Sequence, residues 1–426
     1  MKYNTIAEVY DLGPFITKLV LELDQPLSEC SLDCETFQVR VVRRDIKTGK
    51  TIQVRKSWNS DEVYPSEGER KVCAAYVSDR EGNIRKSGSF ITLVLEVDPR
   101  NPLGAAIAFN GTFNVQVESD YTITQRKAII CRDSRIDGLE FTELNTKRTI
   151  LADDFVTGNG IYQGIGLGYA SFQPESNGKK HPLLIWLHGA GEGGDDPIIA
   201  ISGNKVVNLI SDAIQYYFDG SYVLAPQAPS MWMDDGTGQY NKDGSSMYVE
   251  SLKTLIEEYV AAHDDIDRTR IYIGGCSNGG FMTLKMIIAY PSIFAAAFPI
   301  CEALYDGFIT DNDIERIKNI PIWFTHAVSD PIVDVHKHSE ATYRRLINAG
   351  AEDVHFSCFH SVTDRTGMYM QEDRTPYEYN GHFSWIPALN NECILDYNNK
   401  PVYLDGEPVT LFEWLSKQRC KQLKHT

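Results

Sequence analysis

The chain has 426 residues, a length that two domains fit better than one. Its residues are 42% hydrophobic and 23% charged, the balance of a globular protein, and a net charge of −17 argues against nucleic acid and anionic membrane surfaces as partners. No apolar run is long enough to span a bilayer. The first residues, MKYNTIAEVYDLG, lack the basic start and apolar stretch of a signal peptide. The expected location is the cytoplasm; a secreted protein whose signal has been removed is the alternative.

Residues 1–128 read as short strands separated by turns. Phe15–Leu23, Phe37–Val42, Lys71–Val77, Phe90–Val97 and Phe113–Val117 are β-rich, and Lys47-Thr48-Gly49-Lys50 and Asp79 to Asn83 are turn signals between them. Strands at this spacing without helical segments predict an antiparallel sandwich of immunoglobulin type. The nine cysteines are odd in number and irregular in spacing, which predicts reduced, mostly buried thiols. Cys30-Ser-Leu-Asp-Cys34 is half of a metal-ligand pattern, but no second Cys/His pair accompanies it, so no metal is expected.

From residue 129 the pattern changes to alternating strands and helices, which predicts an α/β domain with a mainly parallel sheet over 129–426. Thr149–Val156 and Gly168–Gln173 read as a leading antiparallel pair. Leu183–Leu187, Tyr222–Ala225, Arg270–Ile273, Ala296–Ile300, Ile322–Thr325 and Val354–Cys358 continue the sheet. Helices are expected from Met247 to Ala262, from Ser339 to Ala349 with Gly350 as the cap, and from Thr410 to Gln418.

The stretch Arg270–Met282 contains Gly275-Cys276-Ser277-Asn278-Gly279, a G-x-S-x-G pattern between a strand and a helix. On such a turn a serine hydroxyl is pushed out of the sheet edge, and a helix N-terminus behind it favours developing negative charge. An acyl-transfer serine also needs an oxyanion hole, a base and a group that orients the base. The backbone N–H groups of Asn278 and of Ala190, in His188-Gly189-Ala190-Gly191-Glu192, are the candidate donors, with Gly189 as the alternative to Ala190. The glycine loop lacks the spacing of a nucleotide-binding motif. Asp330, on the turn after Ile322–Thr325, is the candidate acid, with Asp334 as its rival. Position along the chain leaves two candidate bases, His360 and His382. His188 and His326 read as supports for their own turns. Trp232 reads either as a wall of the substrate pocket or as a core aromatic, and 361–380 either as a lid or as a surface loop.

Together these pieces resemble the α/β-hydrolase carboxylesterases related to polyhydroxybutyrate depolymerases and feruloyl esterases. They are His188 to Glu192, Ala225-Pro226-Gln227-Ala228-Pro229, Asp267 to Gly280, the Asp330 turn and His382-Phe383-Ser384-Trp385. Residues 1–128 resemble the immunoglobulin-like domain that precedes the hydrolase in a bacterial subset. The resemblance implies Ser277 as nucleophile, Asp330 as acid and His382 as base, with oxyanion donors at Ala190 and Asn278. Gly189, Gly191, Trp232 and Trp385 are the candidates for lining the substrate site. Two departures bear on the pocket: Cys276 and Asn278 flank the serine, and Cys301-Glu302-Ala303-Leu304 stands where the family has a glycine-rich turn.

The expected function is a serine carboxylesterase that hydrolyses short-chain carboxylic esters through an acyl-enzyme, with no cofactor and no metal. The expected partner is a small-molecule ester, with homo-oligomer contacts through the first domain as a further expectation. A serine peptidase of prolyl-oligopeptidase type and a non-enzymatic binding protein on a hydrolase fold are the competing readings.

Overall fold

The computed structural model describes residues 1–55, 62–132, 134–240 and 243–420. It divides the chain into two units, Met1–Asp153 and Asp154–Thr426. The boundary expected at 128/129 therefore falls inside the first unit, because residues 140–149 add strands to its sheets.

In the first unit the strands of the two main sheets begin with β1 (Lys2–Tyr10), β2 (Gly13–Ser28), β3 (Phe37–Asp45), β4 (Glu67–Arg70) and β5 (Val72–Ser78). They are followed by β6 (Ser87–Leu95), β7 (Ile107–Phe109), β8 (Asn114–Gln125), β9 (Glu140–Phe141) and β10 (Glu143–Thr149). One sheet runs β10-β1-β2-β6-β5 and the other β9-β8-β3-β4, with β7 paired to β8. Leu19, Leu21, Val39, Val41, Ile91, Leu93, Tyr121 and Ile123 belong to one buried core, at the every-other-residue spacing that turns alternate side chains inward. The five runs expected as strands lie on β2, β3, β5, β6 and β8. Two features differ from expectation. β1 gives no alternating signal because Tyr3 to Ala7 are all buried, Asn4 and Thr5 included, with Asn4 Nδ2 donating to Val20 O and Glu22 Oε1. β1 also pairs parallel with β10, in an otherwise antiparallel pair of sheets.

Cys30 and Cys131 form a disulfide, so the expectation of reduced thiols fails for this pair. They are 101 residues apart in sequence, and no spacing rule reaches that far. Of the other cysteines, Cys34 and Cys73 are exposed and Cys276, Cys301 and Cys393 are buried. Arg43 and Arg70 are buried in this unit. Arg43 donates to the carbonyls of Ala105 and Ile107 at 3.1 and 3.3 Å. Arg70 donates to Tyr121 Oη at 2.9 Å and to the carbonyls of Ile16 and Glu96 at 3.1 and 2.9 Å.

The second unit opens with a hairpin of β11 (Val156–Tyr162) and β12 (Ile165–Phe172), later than the expected leading pair. Thr149 belongs to β10, and Leu151 (φ 64°) turns the chain between them. The two-residue hairpin turn has positive φ at both Gln163 and Gly164, the geometry that matches strand twist. The remaining strands of the same sheet are β13 (His181–Leu187), β14 (Tyr222–Gln227), β15 (Ile266–Cys276), β16 (Ala296–Ile300), β17 (Ile322–Ala327) and β18 (Val354–Phe359). Their order is β11-β12-β14-β13-β15-β16-β17-β18, and every pair from β14 onward is parallel. All seven residues of β13 are buried, as fits a parallel strand covered on both faces. The helices α1 (Val249–Ala262), α2 (Asn278–Ala289), α3 (Ser339–Asn348) and α4 (Leu411–Lys417) include the three expected from sequence. Gly350, at φ 84°, stands just past the end of α3 in the left-handed conformation that closes a helix. Because β13, β15, β16 and β17 are parallel, their carboxyl ends present four loops at one edge of the sheet.

Candidate active site

The turn from β15 into α2 leaves no room for side chains at its glycines. A Cβ on Gly275 would lie 2.4 Å from the Leu187 carbonyl oxygen, and one on Gly279 would lie 1.9 Å from it. Both are far inside contact distance with rigid backbone. Ser277 itself adopts φ 55°, ψ −112°, a strained conformation for a residue with a side chain. Its N–H donates to Ile300 O at 2.8 Å, which anchors the turn to β16. Ser277 is only half-buried, whereas its neighbours Cys276 and Asn278 are buried.

His382 Nε2 lies 3.0 Å from Ser277 Oγ, and His382 Nδ1 lies 2.7 Å from Asp330 Oδ2. An ionised carboxylate only accepts, so Nδ1 carries the proton and Nε2 is left to accept from the serine hydroxyl. Three local contacts hold this geometry. The His382 N–H donates to Asn380 Oδ1 at 2.9 Å, the ring meets Trp385 edge-on at 5.7 Å, and Gly381 packs so closely on Ser329 that a Cβ would lie 2.4 Å from its backbone. Asp330 is fixed by the N–H groups of Ile332 and Val333 at 2.8 and 3.0 Å, both on Oδ1. Burial works to raise the Asp330 carboxyl, but hydrogen bonds from His326 and His382 outweigh it and hold the group far below the usual carboxylate range. The rivals lie elsewhere: Asp334 caps residues 335–337 and pairs with Lys337, and His360 is exposed.

The candidate oxyanion donors sit on adjacent loops. Asn278 is the first residue of α2, so its N–H has no partner within the helix. Ala190 begins a short 3-10 turn, Ala190–Glu192, after Gly189. His188 sets this loop. Its Nδ1 donates to Gly189 O at 2.6 Å, its Nε2 accepts from the Ala228 N–H at 3.1 Å, and burial lowers the ring to about 4, so it is neutral. With the Gly189 carbonyl held by His188, the Ala190 N–H of the same peptide points the opposite way.

The candidate pocket residues are arranged less openly. Trp232 is fully buried, with its ring against His188 and Tyr248 at 5.0 and 5.7 Å, so it backs the loop as a core aromatic. Trp385 is buried behind His382, and Gly189 is closed in by the Glu192 carboxylate and Cys276, whereas Gly191 is half-buried. Asn278 Oδ1 accepts from the Trp232 N–H at 2.5 Å, a link between α2 and the 228–234 loop. Segment 361–380 folds back on itself through bridges Thr363–Glu378 and Met370–Pro376, with buried Asp364 accepting from Thr366 and Tyr369.

Two residues beside Ser277, His382 and Asp330 were not foreseen in these roles. His326 donates through Nε2 to Asp330 Oδ2 at 2.9 Å, so the acid carries two histidines on one oxygen. Glu302 is fully buried beside α2, its Cα only 2.7 Å from where a Cβ of Gly280 would stand. The spacing His326 to Asp330 was the available signal for the first. For the second, only its departure from the glycine-rich pattern was.

Comparison with known proteins adds the chemistry. Residues 2–136 match the family described as the esterase Ig-like N-terminal domain, and residues 172–373 match the Phospholipase/Carboxylesterase family. A solved structure titled "Crystal Structure of a Thermostable Esterase" superposes with a TM-score of 0.75 at 25% identity, covering 98% of this chain and 99% of that one. The chain is an α/β-hydrolase carboxylesterase. The esterase is 24% identical over 217 residues to "Probable carboxylesterase SOBER1-like" of Arabidopsis thaliana, covering 44% of this chain and 76% of the relative. It is 29% identical over 139 residues to "Feruloyl esterase B" of Neurospora crassa, covering 32% of this chain and 42% of that relative. Its first unit is thus an immunoglobulin-like domain, as its sandwich architecture suggested. Among the esterase's described residues no helix is long and apolar enough to cross a membrane, and no group of three His, Cys, Asp or Glu side chains is arranged to hold a metal ion.

Proposed function

We propose that this esterase cleaves short-chain carboxylic esters through a Ser277–His382–Asp330 triad and an acyl-enzyme. The supporting observation is the hydrogen-bond chain from Ser277 Oγ through His382 to Asp330, at 3.0 and 2.7 Å. His382 Nε2 takes the Ser277 proton as Oγ attacks the ester carbonyl. The N–H groups of Ala190 and Asn278 receive the oxyanion. Asp330 holds His382 in the Nδ1–H form and stabilises its cation, and His382 then protonates the leaving alcohol. Water, activated by the same nitrogen, releases the acid. Short acyl chains are part of the proposal, and a series of p-nitrophenyl esters from acetate to palmitate tests them. Methyl ferulate and an aminoacyl anilide run alongside. The expected result is fastest turnover at acetate and butyrate. Ser277→Ala should lower kcat by about five orders of magnitude. Turnover of the anilide in preference to esters would instead favour a peptidase, and an active Ser277→Ala protein would remove Ser277 as nucleophile.

A further inference from the structure

The two carboxylate oxygens of Asp330 are held in different ways. Oδ1 accepts from backbone N–H groups of its own turn, those of Ile332 and Val333. Oδ2 lies between two histidine rings, 2.7 Å from His382 Nδ1 and 2.9 Å from His326 Nε2. Ester hydrolysis by a serine nucleophile calls for one histidine, so the second needs its own account.

His326 is the last residue but one of β17, and both its side chain and that of Asp330 are fully buried. Its Nε2 also lies 3.2 Å from Val333 O. The carboxylate and the carbonyl only accept, so Nε2 carries a hydrogen whether the ring is neutral or charged. At the other nitrogen, Nδ1 is 2.8 Å from Ser339 Oγ, on the first turn of α3. A hydroxyl can donate or accept there, so it suits either state. Burial lowers the ring from the usual histidine range even against the pull of Asp330, so the ring is neutral and Ser339 donates. One contact on each nitrogen thus aims Nε2 at Oδ2.

A donor on Oδ2 does two things. It fixes the oxygen that His382 uses, and it stabilises the negative charge on Asp330. A further proton on the Asp330–His382 pair weakens the bond from His326 wherever it lands. On His382, the new cation draws on the same oxygen. On Asp330, the oxygen stops being an anion. His326 therefore favours the form in which His382 Nε2 is free to take the Ser277 proton. We propose that His326 is a positioning residue of the esterase reaction, which by donating to Asp330 Oδ2 holds the acid against His382 and opposes uptake of a further proton by the pair. This rests on the triad reading above.

The other groups near the pair come from several elements. Ser277, before α2, is 3.0 Å from His382 Nε2. Cys301, just past β16, has its thiol pushed well up by burial and stays neutral. Glu302 beside it accepts from the Leu304 N–H, and burial pushes its carboxyl up to about 8, above an acid limb. Asp334, past the Asp330 turn, is paired with Lys337.

The test is the acid limb of kcat/KM for p-nitrophenyl acetate between about pH 4.5 and 8, with circular dichroism at each pH to mark folded protein. Three variants separate the contacts of the ring. His326→Gln puts an amide nitrogen where Nε2 stands, with two hydrogens for Asp330 Oδ2 and Val333 O. His326→Asn reaches Ser339 but stops short of Asp330, and His326→Met fills the volume without a donor. His326→Asn and His326→Met should move the limb up by about 0.5–1 pH unit and lower kcat about 10–100-fold, with KM changed less than about threefold. His326→Gln should keep the limb within about 0.3 pH unit of the intact chain. If His326→Met does not fold, His326→Asn still decides the question. The downfield proton NMR signal of His382 Nδ1–H follows the same protonation without turnover, and it should titrate at higher pH in the donor-less variants. A limb that stays in place in folded His326→Asn or His326→Met overturns the proposal, even if activity falls. So does a limb displaced as far in His326→Gln as in His326→Met. Ser277→Ala separates the two readings: an active Ser277→Ala protein defeats the triad itself, whereas an inactive one with an unmoved limb in His326→Asn defeats only the role of His326.

Discussion

The two units bury ionisable side chains in different company. In the immunoglobulin-like unit, Arg43 and Arg70 lie in the core and donate to backbone carbonyls and the Tyr121 hydroxyl. Those partners keep their protonation state across the working range, and burial itself lowers Arg43 only to about 10, so the cations tie strands together and nothing moves. In the hydrolase unit the buried side chains His326, Asp330 and His382 are hydrogen-bonded to one another, one ionisable group to the next. Burial of charge is thus no sign of chemistry by itself. What distinguishes the second unit is a run of titratable partners that ends at a half-buried hydroxyl, Ser277.

Three substitutions would break or sharpen this contrast. The largest expected effect is at Asp330. An asparagine there could still accept the N–H groups of Ile332 and Val333, but its amide hydrogens would face both His326 Nε2–H and His382 Nδ1–H. His382 would be driven to the wrong tautomer, and kcat should fall about 10⁴-fold with the fold retained. Near-normal turnover in Asp330→Asn would break the contrast outright. Next is Arg70→Met, which keeps the volume and removes three donated bonds. Its effect should be on stability alone, roughly 2–4 kcal/mol in a denaturant titration, with kcat per folded molecule unchanged. A loss of kcat in folded protein would mean that a buried cation of the first unit matters to chemistry after all. The smallest effect is expected for Asn278→Ala. The proposed backbone donor survives, so kcat should change less than about tenfold. The buried Trp232 N–H loses its acceptor, which should cost about 1–2 kcal/mol of thermal stability.

Much of this arrangement was legible in the sequence, and the rest was hidden for identifiable reasons. Ser277 was readable because G-x-S-x-G has a steric cause, and the structure shows that cause in the Leu187 carbonyl against Gly275 and Gly279. Asp330 followed from its place after a buried strand. The choice between His360 and His382 could not come from position, since both follow β18; the resemblance favoured His382, and the hydrogen bonds join His382 to Ser277 and Asp330. Most strands were legible from alternation or apolar runs. β1 was not, because two polar residues are buried in it and satisfy their hydrogen bonds across the sheet. Trp232 reads the same in sequence whether it lines a pocket or fills a core, and only its zero exposure distinguishes the two. Glu302 carries no local sign of burial, because the elements that enclose it come from separate stretches of chain.

One feature of the first unit acts before any contact forms. The Cys30–Cys131 bond closes a loop spanning 101 residues, so the denatured polymer of that unit is a ring with two tails. A ring of that size has fewer ways to be disordered, and on a chain-entropy basis its closure favours folding by about 4–5 kcal/mol. Under thiol reductant the same folded contacts must hold against a more expansive unfolded ensemble, and the first unit then stands on its sandwich core alone.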